Sequence, residues 1–105
     1  MTWQKVADLS GLPENGLARL ATSSGEILLI RMDEKLFATQ LNCTHESDDL
    51  SGGSIEEGKL VCGFHYATFD PATGEALGQP EGGGTATALR TYAVRTENGD
   101  VLVDA

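Results

Sequence analysis

Short apolar runs separated by turn-forming residues recur along the chain, and this pattern predicts strands rather than helices. Three strands are predicted in the first half, at residues 17–22 (LARLAT), 26–32 (EILLIRM) and 35–41 (KLFATQL). The polar segments SSGE and DEK separate them and are typical of turns. The second and third of these strands therefore form a predicted hairpin.

The second half continues the same pattern. Residues 53–63 (GSIEEGKLVCG) predict two short strands around Glu57-Gly58, and residues 66–70 (YATFD) predict another strand before the turn PATGE. Residues 91–104 predict a hairpin around Asn98-Gly99, because a type I′ turn needs positive φ at both central positions. We therefore expect an all-β fold, a small antiparallel sandwich or barrel of short strands.

Few other elements or core residues are predicted. Residues 6–16 (VADLSGLPENG) leave room for one helical turn, which Pro13 limits. Trp3, Phe37 and Tyr92 are expected in the core because large aromatic side chains are usually buried.

Length and charge limit the number of domains and the kinds of partner that the protein can bind. The 105 residues predict one domain covering 1–105. The formal net charge is −9, and the seven lysines and arginines are scattered along the chain rather than grouped in a basic stripe. Nucleic acid and anionic membranes are therefore unfavourable partners, because both are recognised through clustered positive charge.

The start of the chain, MTWQKVADLSGLPENG, has no basic segment followed by an apolar one, so we expect no signal peptide. The longest strongly apolar run, residues 27–30 (ILLI), is far too short to span a bilayer. A cytoplasmic location is expected. In a reducing compartment, two cysteines are more often ligands or catalytic groups than a structural disulfide.

Both cysteines and both histidines of the chain lie within residues 42–70. Cys43 and His45 are separated by one residue, Cys62 and His65 by two, and sixteen residues lie between the pairs. Each pair follows a predicted strand, so each is expected on a tight loop at one end of the sheet. Two such loops can face each other and hold one object between them.

Thiolate and imidazole together are ligands for zinc, iron and copper. Four such ligands suit either a tetrahedral zinc ion or a [2Fe–2S] cluster in which cysteines hold one iron and histidines the other. Zinc fingers usually keep like ligands together, whereas here each loop supplies one of each kind, which favours the cluster. Structural zinc, a Cys43–Cys62 disulfide and a nucleophilic cysteine with a histidine base are the weaker alternatives.

The motifs CTH and CGFH resemble the C-x-H and C-x-x-H motifs of Rieske [2Fe–2S] proteins. The segments LSGG (residues 50–53) and F-D-x-x-T-G (residues 69–74) are also similar to that family. The length matches free-standing Rieske-type ferredoxins, the electron-carrier components of bacterial ring-hydroxylating dioxygenase systems. Two departures are visible: Gly63 stands where the family often has proline, and GQPEGGG (residues 78–84) occupies the place of a shielding loop.

The resemblance implies one [2Fe–2S] cluster per chain, held by loops near 42–50 and 62–70. Its implied ligands are Cys43 and Cys62 on the buried iron, with His45 and His65 forming the exposed edge. The protein would not be an enzyme. It would be a soluble, monomeric one-electron carrier between a flavin-containing ferredoxin reductase and a terminal Rieske non-haem iron oxygenase.

Two alternatives from other classes are the Rieske-like small subunit of assimilatory nitrite reductase and a zinc-stabilised β module that binds a protein partner. Within the Rieske resemblance, Ala67 and Phe69 stand where high-potential members have serine and tyrosine, and neither side chain donates a hydrogen bond. A low reduction potential is therefore expected. The acidic residues near the loops, which are either solvated charge or a docking surface, are Glu46, Asp48, Asp49, Glu56 and Glu57.

Overall fold

A computed structural model describes residues 2–32, 35–44, 49–63 and 66–105. These ranges form strands and two short 3-10 turns, Leu9–Gly11 and Leu50–Gly52. The strands are β1 Trp3–Asp8, β2 Asn15–Thr22, β3 Gly25–Met32, β4 Lys35–Gln40, β5 Ser54–Glu56, β6 Lys59–Val61, β7 Thr68–Phe69, β8 Ala76–Gly78, β9 Thr91–Glu97 and β10 Asp100–Asp104. Within the described ranges, no helix is long and apolar enough to cross a bilayer.

The strands form two antiparallel sheets. The large sheet has the strand order β1-β10-β9-β4-β3-β2, and the small sheet has the order β5-β6-β7-β8. The edge strands of the large sheet are tied together, because the backbone N–H of Ser23 donates to the Gln4 side-chain oxygen over 2.8 Å. This curled, all-antiparallel arrangement confirms the predicted all-β fold class.

The predicted hairpins are confirmed. β2 pairs with β3 through Thr22 and Gly25, and β3 pairs with β4 up to Met32 and Lys35. Asn98 and Gly99 have φ of 51° and 84°, the positive values that a type I′ turn between β9 and β10 requires. Glu57 and Gly58 also have positive φ between β5 and β6.

The structure differs from the sequence predictions at four points. β1 was not predicted as a strand, and Trp3 at its start is 37% exposed, with the Arg95 guanidinium 4.3 Å from its ring centre, rather than in the core. β8 was also not predicted. The strand predicted at residues 66–70 is reduced to β7, because Tyr66 has φ of 60° and leaves the extended region.

The core lies on both faces of β3, whose four consecutive apolar residues are all buried. Leu28 and Ile30 face one apolar cluster, whereas Ile27 and Leu29 face another, as the alternation of side chains along a strand requires. The second cluster, here the terminal core, includes Val101 and Val103 of β10. The first, here the cysteine core, lies toward the small sheet and contains both cysteines together with Leu41, Leu50, Leu60, Ala67, Phe69, Ala86 and Leu89.

Candidate metal centre

Cys43 begins a loop that is closed at its base. β4 ends at Gln40, and the next residues bring the chain to an isolated antiparallel bridge between Asn42 and Asp49. The N–H of Leu50 then donates to the carbonyl of Leu41 over 2.8 Å. Cys43 therefore directly follows a segment whose backbone is paired on both sides of the Asn42–Asp49 bridge.

Cys62 begins a second closed loop directly after β6. Its N–H donates to the carbonyl of Ala67 over 2.9 Å, and Val61 and Thr68 pair immediately outside that bond. Only four residues lie between Cys62 and Ala67. Tyr66, in this short span, has a positive φ that bulky residues rarely adopt, so the turn back into β7 is held in an uncommon backbone conformation.

The two cysteines lie in the same buried cluster and are not joined by a disulfide bond. Their exposed fractions are 2% for Cys43 and 0% for Cys62. Two sheltered sulfur donors at the starts of two loops are what a cluster iron held by cysteine thiolates needs. Among the residues that the structure describes, no three histidine, cysteine or acidic side chains come together as a metal site.

The predicted ligands His45 and His65 lie outside the described residues, as do Glu46, Asp48 and Phe64. The structure therefore describes the cysteine half of the predicted ligand set. Both cysteines lie in one buried cluster, and their role as ligands stays a prediction. The imidazole half stays a prediction.

The glycines of the segment LSGG have a structural role, because the backbone of this turn lies very close to the backbone around Cys62. A Cβ atom built on Gly53 would lie 2.1 Å from the carbonyl oxygen of Val61, and one on Gly63 would lie 2.6 Å from that of Gly52. Neither approach tolerates a side chain without movement of the backbone. Proline, which also carries a Cβ atom, would meet the same carbonyl at position 63, so glycine suits this loop.

The F-D-x-x-T-G segment is also a structural device. Phe69 is fully buried in the cysteine core, and the Asp70 carboxylate accepts a hydrogen bond from the N–H of Ala72 over 2.9 Å. Gly74 has φ of 79°, and a Cβ atom there would lie 2.2 Å from the Leu89 carbonyl oxygen. This turn therefore seats Leu89 against the core that contains the cysteines.

Residues 79–90, here the cover segment, form a third wall beside the cysteines. Ala86 and Leu89 of this segment are buried in the cysteine core, and Pro80 is buried as well. The segment contains Gly82, Gly83 and Gly84, all with positive φ. Three side chains, those of Gln40, Thr44 and Gln79, bond to its backbone.

Charge around the first loop is partly compensated. Hydrogen bonds from the Ser51 hydroxyl and N–H, together with the nearby Arg19 guanidinium, hold the pKa of Asp49 below its usual range. Arg19 also binds Glu26 through two contacts of 2.6 Å and lowers the pKa of that carboxyl. Asp49 is therefore an anchor between β2 and the loop rather than an isolated surface charge.

Thr44, Gln79 and Tyr66 are residues of the site that the sequence alone does not indicate. Thr44 carried a weak signal, because a threonine in a tight loop often bonds to nearby backbone. Its partner, however, is 43 residues away, as the side chain of Thr44 bonds to Thr87. Nothing in the sequence marks Gln79 or the 57% exposure of Tyr66.

The fold defines a small antiparallel β domain with two buried cysteines at the starts of two closed loops. Residues 2–93 match the Rieske [2Fe-2S] domain family. The chain belongs to this family and carries one [2Fe–2S] cluster.

Its relatives include ferredoxin components of dioxygenases. The chain is 33% identical over 104 residues to the biphenyl 2,3-dioxygenase ferredoxin component of Rhodococcus jostii (strain RHA1), covering 99% of this chain and 94% of that one. It is 30% identical over 102 residues to the naphthalene 1,2-dioxygenase system ferredoxin component of Pseudomonas putida, covering 97% and 94% of the two chains.

Solved structures show the same fold. A chain in the complex of reduced oxygenase and oxidized ferredoxin in carbazole 1,9a-dioxygenase matches with a TM-score of 0.84 at 25% identity, covering 96% of this chain and 91% of that one. A protein described as the small subunit of an NADPH nitrite reductase matches with a TM-score of 0.83 at 17% identity, covering 100% of both chains. The second likeness concerns the fold alone.

Proposed function

We propose that this protein is the ferredoxin component of a ring-hydroxylating dioxygenase system. It carries one electron at a time and is not itself the enzyme that attacks the aromatic ring. The observation that carries the proposal is the pair of buried, unbridged cysteines at the starts of two closed loops. They occur in a chain that matches ferredoxin components over almost its whole length.

We assign Cys43 and Cys62 to the buried iron, and His45 and His65 to the outer iron, with 1–105 forming one Rieske domain. The loops that hold the cluster lie near 42–50 and 62–70. A bound Rieske cluster accepts and releases a single electron, and histidine ligation makes reduction easier than in an all-cysteine cluster. The chain itself provides the sulfur ligands, orients them and excludes water from the buried side.

The proposed reduction potential is low for a Rieske centre, nearer to about −150 mV than to about +300 mV. Hydrogen bonds to the sulfurs raise the potential because they stabilise the added electron. Ala67 and Phe69 belong to the same buried cluster as both cysteines and have no side-chain donor. This part of the wall therefore supplies packing without side-chain hydrogen bonds.

The proposed partners are a flavin-containing ferredoxin reductase, which supplies electrons, and a terminal Rieske non-haem iron oxygenase, which receives them. We propose that the carrier works as a cytoplasmic monomer. The relatives that support this role are named for different aromatic compounds at similar identities, 33% and 30%. We therefore propose that the partner oxygenase, and not this carrier, determines which aromatic compound is attacked.

Partner docking near the second loop is supported by an exposed aromatic residue. Tyr66, in the sequence directly after the proposed ligand His65, is 57% exposed and flanks a surface hollow with Glu56 and Glu57. Pro80, by contrast, is buried and offers no comparable surface. Tyr66 is therefore the described residue best placed to make apolar contact with a partner at this loop.

The test is direct. The purified protein is expected to be red-brown, with about two irons and two acid-labile sulfides per chain, as a Rieske cluster requires. Its reduced form should show the electron paramagnetic resonance signal of a mixed histidine–cysteine cluster. It should also support electron transfer from a ferredoxin reductase to a ring-hydroxylating oxygenase. A colourless protein with one zinc ion per chain would contradict the proposal and favour the zinc-stabilised module.

The nitrite reductase subunit is distinguished by partner rather than by fold. That alternative predicts binding to a nitrite reductase large subunit, without electron delivery to an oxygenase. Rapid reoxidation of the reduced protein by a ring-hydroxylating oxygenase, with no complex formed on addition of nitrite reductase, is the outcome expected here.

A further inference from the structure

We propose that Thr44 is a positioning residue that straps the cover segment, residues 79–90, onto the first cysteine loop and thereby limits water access to the cluster. This inference rests on the proposed ligation by Cys43, His45, Cys62 and His65. It assigns a role to a side chain that lies between two ligands without being one of them.

The strap consists of two hydrogen bonds that use both capacities of one hydroxyl. The Thr44 Oγ1 donates to the carbonyl oxygen of Thr87 over 2.7 Å and accepts from the N–H of Thr87 over 2.9 Å. Both bonds are made to the backbone of Thr87, so they fix the position of the cover segment and are independent of the side chain at 87. A hydroxyl at residue 44 is therefore required, whereas a threonine at residue 87 is not.

A second side chain closes the cover segment upon itself. The Gln79 amide donates to the carbonyl of Ala86 over 3.2 Å and accepts from its N–H over 2.8 Å. This clasp spans residues 80–85, which include the three glycines with positive φ. The glycine-rich part of the segment thus lies within a loop that the two Gln79 bonds close. Thr87, where the strap is made, lies outside that loop.

The strapped segment contributes to the core that contains the cysteines. Ala86, directly before Thr87, is 4% exposed and belongs to the same buried cluster as Cys43 and Cys62. If the strap is released, Leu89 and Arg90 stay bonded to Gly74 and Gln40, but the wall at Ala86 and Thr87 loses its tie to the first loop and water can approach the sulfurs. The oxidised cluster with its four ligands is neutral and the reduced one carries a negative charge, so water stabilises the reduced form more.

The experiment compares Thr44→Val, which keeps the shape and removes both bonds, with Thr44→Ser, which keeps the hydroxyl. Thr87→Ala is the matched control because it leaves the bonded backbone intact. Gln79→Met tests the clasp independently, in case Thr44→Val does not fold. The readouts are hydrogen exchange of the Thr87 amide, the rate of cluster loss to an iron chelator, and the reduction potential from voltammetry.

Thr44→Val is expected to expose the Thr87 amide to exchange and to speed cluster loss about fivefold to thirtyfold, the factors to which one and two net hydrogen bonds correspond. Its potential should shift upward while its electron paramagnetic resonance signal stays that of mixed ligation. Gln79→Met should change lifetime and potential in the same direction, less strongly. Thr44→Ser and Thr87→Ala should behave as wild type.

An unchanged lifetime and potential in Thr44→Val, or a loss of the same size in Thr87→Ala, would overturn the strap. Failure of the proposed function looks different, because the wild type itself would then carry no Rieske signal. In that case hydrogen exchange still tests the strap. If the Thr87 amide exchanged no faster in Thr44→Val than in the wild type, that result alone would contradict the strap.

Discussion

The large and small sheets are stabilised in different ways. The large sheet consists of strands of five to eight residues, with hairpins at β2–β3–β4 and β9–β10, and it packs β3 and β10 around the terminal core. The small sheet consists of strands of two or three residues. The close approach of Gly53 to Val61 lies at the end of its β5–β6 hairpin, and the approach of Gly63 to Gly52 and the closed cysteine loops join it to its surroundings.

This difference indicates which sheet depends on a bound cluster for its stability. Two- and three-residue strands are well below the usual strand length and supply few ladder hydrogen bonds of their own. Metal binding is coupled to folding where the ligands come from separate segments of the chain. We therefore expect the small sheet to depend on the cluster and the large sheet to be largely independent of it.

The largest expected effect follows from removing one sulfur ligand. Cys62→Ser should abolish the cluster, because a serine hydroxyl is a poor substitute for a thiolate on iron. Amides of β6 and β7 should then lose protection against hydrogen exchange, while those of β9 and β10 stay protected. Iron analysis and exchange mass spectrometry measure both. Equal loss of protection in the two sheets would show that they fold as one unit.

Two substitutions on β3 distinguish the roles of the two cores, with a similar expected loss of stability in each. Leu28 and Leu29 are adjacent, almost fully buried and on opposite faces, toward the cysteine core and the terminal core respectively. Each change to alanine should lower the free energy of unfolding by about 2–5 kcal/mol. Only Leu28→Ala should also speed cluster loss to a chelator, because only its cavity opens beside the cysteines. Similar cluster lifetimes in both variants would argue against separate roles for the cores.

The sequence predicts the parts of the fold that depend on neighbours in the chain. Apolar alternation and turn residues identify the hairpins, and ligand spacing identifies the cysteine loops. β1 escapes prediction because Trp3 pairs with Asp104 at the other end of the chain, and a register shift between Lys5 and Ala7 disturbs its alternation. The bonds of Thr44 depend on a segment 43 residues away. Contacts of this kind arise only once both sheets are assembled.

Ala67 and Phe69 line the cysteine core without a side-chain hydrogen-bond donor, and a substitution that adds one hydroxyl group can supply a donor at either position. Phe69→Tyr or Ala67→Ser should raise the reduction potential if the new hydroxyl reaches a sulfur. A hydrogen bond to a charged acceptor is worth about 1.5–3 kcal/mol, which for one electron is on the order of 60–130 mV. Phe37→Tyr is the control, since Phe37 is only partly buried against the same cluster and should leave the potential unchanged. A structure with the new hydroxyl on a sulfur and no shift in potential would refute the donor argument.

The smallest expected effect tests the close backbone approach of Gly53 to Val61, the last residue of β6 before the second loop. Gly52 and Gly53 are adjacent, and neither has positive φ, so an alanine at either position meets no intrinsic backbone strain. A Cβ atom on Gly52 has no neighbour within 4 Å, whereas one on Gly53 would lie 2.1 Å from the Val61 carbonyl oxygen.

Gly53→Ala should therefore lower the free energy of unfolding by about 1–3 kcal/mol, the usual cost of overpacking, and Gly52→Ala should stay within about 0.5 kcal/mol of wild type. Because Val61 directly precedes Cys62, the displaced backbone in Gly53→Ala should also shorten the cluster lifetime. Urea unfolding and chelator kinetics on the two variants provide the comparison. If Gly53→Ala were as stable as Gly52→Ala, the approach of the two backbones would not be a constraint on this loop, and its glycines would need another explanation.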